Sequence, residues 1–184
     1  MSSQSSSLSA ITTQPLTIEQ KRVLLRRALI KTPQDTRVRE ALQDTLTPPL
    51  IHQAARHGVY VSYHRADEVF ALDIAMALHE ARVRVWMDEM DVPDTAEDWR
   101  GAVEAAMRAC GTMLLILSPD SVNDPDVLNE YRRFFTGGKI VIPALHRSCD
   151  PSKLLLMMPP VDFRQNPDGG LHQLKMLLGA NARA

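Results

Sequence analysis

Val59-Tyr-Val-Ser-Tyr63 is a run of β-branched and aromatic residues, and beyond it Phe70, Ile74, Ala77, Leu78 and Ala81 recur at helical spacing. This predicts a strand followed by a helix, with Asp67 as the helix cap. The unit then repeats. Arg82-Val-Arg-Val-Trp-Met87 alternates as a strand, and after a loop holding Pro93, Thr95-Ala-Glu-Asp98 opens a helix along Trp99, Val103, Ala106 and Cys110, with Trp99 expected in the core. Thr112 to Leu117 is apolar on both faces, as a central parallel strand must be. Val127, Leu128, Tyr131, Phe134 and Phe135 form the stripe of the next helix, closed by Gly137-Gly138. Lys139 to Leu145 and Val161-Asp-Phe163 predict two further strands, and Leu171, Leu174, Leu177 and Leu178 a last helix ending at Gly179.

Right-handed crossovers convert such alternation into a doubly wound parallel sheet, so the expected class is α/β, a five-stranded flavodoxin-like sheet. In that fold ligands lie beyond the carboxyl ends of the strands where the winding reverses, between the first and third strands. Here those ends are Ser62 to Arg65 and Leu117 to Asp120.

Upstream, Thr17-Ile-Glu-Gln20 has the form of a capping box, and Ile18, Val23, Leu25 and Leu29 follow at roughly helical spacing. Pro33 interrupts that helix, Asp35 caps a second one with Val38, Ala41, Leu42 and Leu46 on one face, and Pro48-Pro49 is expected to end it. The predicted organisation is a disordered Ser-rich tail over 1–16, a helical extension over 17–57, the α/β domain over 58–179 and a short tail over 180–184.

A chain of 184 residues, 45% hydrophobic, buries one core, and its net charge of -1 supplies no general attraction for nucleic acid or anionic lipid. The basic face of the first helix, Lys21, Arg22, Arg26, Arg27 and Lys31, reads as a solvated face or a surface for another protein. Cys110 and Cys149 have no CxxC spacing, and no segment looks like a leader or a membrane span, so a cytoplasmic protein without membrane partners is expected. Neither GxGxxG nor GxxxxGK[ST] is present, which excludes the familiar pyrophosphate turns. GxSxG is absent too, and the six His show no metal-ligand spacing, so no metal or bound cofactor is predicted.

Four boxes occur in order: Tyr60-Val-Ser-Tyr-His-Arg-Ala-Asp67, Val83-Arg-Val-Trp-Met-Asp88, Ile116-Leu-Ser-Pro119 and Ile140-Val-Ile-Pro143. Together they resemble the Toll/interleukin receptor (TIR) domain, in particular its bacterial branch, over about residues 58 to 179. In enzymatic members of that family a Ser-Pro at the end of the third strand precedes, by twelve residues, a glutamate required for NAD cleavage. Twelve residues beyond Ser118 is Glu130. The resemblance implies an NAD glycohydrolase or ADP-ribosyl cyclase, with NAD as substrate, activated by homotypic assembly into oligomers or filaments in antiphage defence. One carboxylate suffices for that reaction, because nicotinamide leaves an already cationic centre as a neutral base and needs no proton. Ordinary glycosidases need a second carboxyl group to protonate the departing oxygen. An anion that orients the ribose hydroxyls and stabilises oxocarbenium-like charge does the essential part.

Glu130 is therefore the expected catalytic residue; the plain alternative is an exposed helix acid paired with Arg132 or Arg133. Tyr63, His64, Arg65, Trp86, Asp88 and Ser118 are the expected substrate-binding set. Each has a structural alternative: Tyr63 in the core, His64 and Arg65 as solvated loop residues, Trp86 as packing at the sheet edge, Asp88 as a turn former. Asp124 and Asp126 stand where the family has a second small hydroxyl residue and a Trp, and Pro93-Asp94 where it commonly has Pro-Gly. The competing function is a non-catalytic TIR adaptor acting by assembly alone, with the N-terminal helices open to a separate sensor protein. A magnesium-dependent phosphoacceptor fold is disfavoured, since the first strand ends in Ser-Tyr-His-Arg rather than an acidic pair.

Overall fold

The computed structural model describes residues 16–91 and 98–180. The chain forms two compact units, divided between Thr47 and Pro48. In the first, helix α1 (Ile18–Lys31) starts at a complete capping box, Thr17 accepting from the Gln20 backbone and Gln20 reaching back to the Thr17 backbone. Helix α2 (Thr36–Gln43) starts at Asp35, which accepts from the Arg37 and Val38 backbones. The two helices touch, with Leu25, Leu29, Val38 and Leu42 buried, whereas Ile18 and Val23 are exposed.

Pro48-Pro49 does not end α2, which stops at Gln43 and leaves Leu46 outside it. The two prolines open helix α3 (Pro48–Ala55). Proline lacks an amide hydrogen, and a first helical turn does not use one, so a proline that would break a helix interior is well suited to a helix start. Helix α3 belongs with the sheet rather than with α1 and α2, and the division accordingly falls ten residues before the expected boundary at 57.

The second unit is a five-stranded parallel sheet in the order β2-β1-β3-β4-β5, built from β1 (Val59–Ser62), β2 (Val85–Trp86), β3 (Thr112–Leu117), β4 (Ile140–Leu145) and β5 (Val161–Asp162). This is the flavodoxin-like order, with the reversal of winding between β1 and β3. Strand β3 is buried along its whole length, as its apolar run requires. Strand β2 pairs over two residues only, shorter than the alternation from 82 to 87 suggests, because Arg82 turns into the left-handed region (φ 59) and Met87 bonds to Asp91 instead of to β1. Helices α4 (Glu68–Glu80), α5 (Asp88–Asp91), α6 (Trp99–Ala109), α7 (Pro125–Thr136) and α8 (Pro167–Leu177) complete the unit. Residues 146–160, between β4 and β5, contain neither helix nor strand.

Two residues depart from expectation. Asp67 stands at the start of α4, yet its side chain makes no capping bond and turns inward. Trp99 is 47% exposed rather than core, since it opens α6 while Val103, Ala106 and Met107 carry the buried stripe. The expected helix start at Thr95, the Pro93-Asp94 loop, the tail through residue 15 and residues 181–184 lie outside the described residues. At the observed start of α6, Asp98 accepts from the Gly101 backbone.

Candidate functional site

Side chains alternate along a strand, so Tyr60 and Ser62 share one face of β1, and this is the face that α7 covers. Phe134 on α7 lies against the Tyr60 ring, centroids 5.5 Å apart. Glu130 is one helical turn earlier on the same side of α7, which carries its carboxylate to the hydroxyl ends of the two β1 residues. Tyr60 donates to Oε1 at 2.6 Å and Ser62 donates to Oε2 at 2.7 Å. Trp86, opposite Tyr60 in the β1–β2 register, also stacks on the Tyr60 ring, with centroids 5.0 Å apart and planes 10° from parallel. The acid thus faces the sheet, near the carboxyl end of β1. Arg133, its proposed surface partner, lies by Glu104 instead.

Burial pushes the Glu130 carboxyl above the usual range, the hydrogen bonds from Tyr60 and Ser62 oppose that shift, and the nearby Asp88 and Asp126 add to it. The Tyr60 phenol is also raised, by burial first and then by the Glu130 charge, so Tyr60 keeps its proton and remains a donor.

Past the end of β1, Tyr63 donates to Asp88 Oδ1 at 2.7 Å, joining the tips of β1 and β2. Burial, followed by this hydrogen bond, raises the Tyr63 phenol. Arg65 is exposed and its Nη1 donates to Glu68 Oε2 at 3.0 Å and Glu89 Oε2 at 2.9 Å, bonds that raise its own ionisation. His64 Nδ1 accepts from the Ala66 backbone, and its Nε2 lies 3.8 Å from Asp124 Oδ2. Asp124 is itself the cap of α7, accepting from the Asp126 and Val127 backbones.

Residues 59–178 match the sequence pattern of the TIR domain family. The chain belongs to the TIR family. Its fold agrees: the TIR domain of the Toll-related receptor TRR-2 from Hydra magnipapillata superposes with a TM-score of 0.55 at 14% identity, over 67% of this chain and 97% of that one. No curated protein matches the chain in sequence.

In this TIR domain Ser118 is fully buried; it donates to Asp67 Oδ2 at 2.5 Å, accepts from the Ser121 backbone, and its own amide donates to Ser121 Oγ. Arg147, just past β4, closes this cluster by donating to Asp67 Oδ1 and Asp120 Oδ2, both at 2.6 Å. Ligand atoms of His64, Asp67 and Asp120 approach within 4.8 Å of one another, but the charge between the two carboxylates is already the Arg147 guanidinium. The cluster ties the tips of β1, β3 and β4 together and holds the turn that leads into α7.

Sequence reasoning missed Tyr60 and Ser62. The signal was present in the period-two pattern, which places both on one face, but the identity of the covering helix is a tertiary fact.

Proposed function

We propose that this TIR domain cleaves the bond between nicotinamide and ribose in NAD, with Glu130 as the catalytic carboxylate. The observation that carries the reading is the inward, two-point seating of Glu130 on Tyr60 and Ser62. A carboxylate offers about four lone-pair sites. Tyr60 and Ser62 take one on each oxygen, which leaves one acceptor per oxygen for the two neighbouring hydroxyls of a ribose. Once nicotinamide departs as a neutral base with the electron pair of the broken bond, the same negative charge stabilises the oxocarbenium-like sugar until water, or the adenine of the same molecule, bonds to it. Trp86, Tyr63 and Asp88 border this position, and the product is linear or cyclic ADP-ribose.

Self-association, which TIR domains generally use, completes the pocket and switches the activity on, in a cytoplasmic role in defence against phage. A separate sensor protein acts through the N-terminal helices. Glu130→Gln keeps the shape and removes the charge, and it is expected to reduce nicotinamide release at least about 100-fold. Purified protein incubated with NAD, dilute and concentrated, provides the assay; equal rates for wild type and variant would remove Glu130 from the mechanism.

A second reading, a TIR module that only assembles, draws on Asp126, which is exposed on the first turn of α7 where an aromatic would stack on a base. The pairing of Arg65 with Glu68 and Glu89, which leaves it without spare charge for a diphosphate, points the same way. Assembled protein, verified by light scattering, that consumes neither NAD nor NADP would establish that reading.

A further inference from the structure

The geometry points to Tyr60 and Ser62 as the positioning residues that fix the plane of the Glu130 carboxylate and hold it in its charged form. This deepens the reading of Glu130 as a catalytic anion, and only its kinetic arm rests on that reading.

Both contacts have the length of hydroxyl-to-carboxylate bonds in which the acceptor is ionised, 2.6 and 2.7 Å. They fall on different oxygens, so rotation of the carboxylate breaks both at once, and a side chain that is otherwise rich in rotamers is confined. Both donors come from one strand, two residues apart, and that strand is paired on both sides by β2 and β3. Tyr60 cannot swing away, because its ring touches Trp86 and Phe134. The other groups acting on Glu130 are Asp88, beyond β2, and Asp126, on its own helix, and both oppose its ionisation. Burial opposes it as well. The two hydroxyls are what favours the anion within this set.

The test uses the full chain with glutamate carboxyl carbons labelled, the Glu130 resonance being identified by its loss in Glu130→Gln. Tyr60→Phe keeps the ring between Trp86 and Phe134 and deletes only the hydroxyl; Ser62→Ala deletes the other. Each is expected to raise the titration midpoint of Glu130 by about one pH unit, a hydrogen bond to a charged acceptor being worth that much. The acid limb of NAD cleavage moves to higher pH by the same amount. A purely structural role for the hydroxyls lowers thermal stability without moving either midpoint. Unchanged midpoints in both variants overturn the assignment. If wild-type protein cleaves no NAD, the proposed function fails while the titration still judges the pair. Should one variant not fold, the other gives the same reading.

Discussion

Glu130 is held where an anion is useful and where an anion is costly. Its ionisation is raised above the unfolded value, so the folded state binds the proton more tightly than the unfolded state does, and folding stability falls as pH climbs through the folded midpoint. The contribution is full below the unfolded value and lost above the folded one. Glu130→Gln is therefore expected to unfold at a higher temperature than wild type near pH 7.5, with the gain vanishing below about pH 4.5, where the wild-type acid is neutral as well. Melting curves of both proteins across that interval check this, and a pH-independent difference would argue against a buried charge. Glu130 came into view as a candidate through the family resemblance, which implies a glutamate twelve residues beyond Ser118. Its partners did not: Tyr60 and Ser62 lie 70 and 68 residues away, and nothing local in Tyr-Val-Ser distinguishes a hydroxyl aimed at a carboxylate from one simply covered by a helix. The partners of Ser118 were equally hidden in the sequence. This residue ends a strand as expected, but the turn through Ser121 rotates its hydroxyl toward Asp67, inside the protein.

Among the elements, strands and helices were readable wherever periodicity ran long, as in β3 and α7, and obscure where a single residue type has two meanings. Pro48-Pro49 is the clearest instance, an expected stop that starts α3. That helix lies close to the beginning of β3: a Cβ added at Gly111 would come within 2.3 Å of the Ala54 carbonyl oxygen. A backbone carbonyl at a helix end cannot step aside as a side-chain tip can. Gly111→Ala is expected to cost about 1–3 kcal/mol, seen as a drop in melting temperature of roughly 2–4 °C per kcal/mol. A melting temperature equal to wild type would mean that α3 shifts freely. Helix α6 has an opposite kind of tether. Lys139, at the threshold of β4, donates from Nζ to the Met107, Arg108 and Cys110 carbonyls at 2.6, 2.8 and 2.7 Å, occupying acceptors that a helix end otherwise leaves to water.

For the molecule as a whole, the alternation from residue 59 onward pointed to a doubly wound parallel sheet, because right-handed crossovers leave few topologies open, and the family resemblance implied the flavodoxin-like order among them. The limit between the two units was not legible, since helical spacing looks the same on either side of it. The unit beginning at Pro48 carries its own core, from Ile51 and Ala55 through β3 to Leu174. A chain beginning at Pro48 is expected to unfold cooperatively, and one beginning at Gly58 to melt several degrees lower, the loss of a buried Ile such as Ile51 alone being worth about 2–5 kcal/mol. Calorimetry on the two chains measures the difference, and equal melting temperatures would return α3 to the first unit.

Opening begins where ladders are shortest, and the two edges of the sheet, β2 on β1 and β5 on β4, each hold by two residue pairs while β3 and β4 share six. Trp86 belongs to the first of these edges and also backs the ring of Tyr60. The acid's setting is therefore no more durable than the rim of the sheet: each time the rim breathes, Tyr60 loses its backing while the middle of the sheet stays shut.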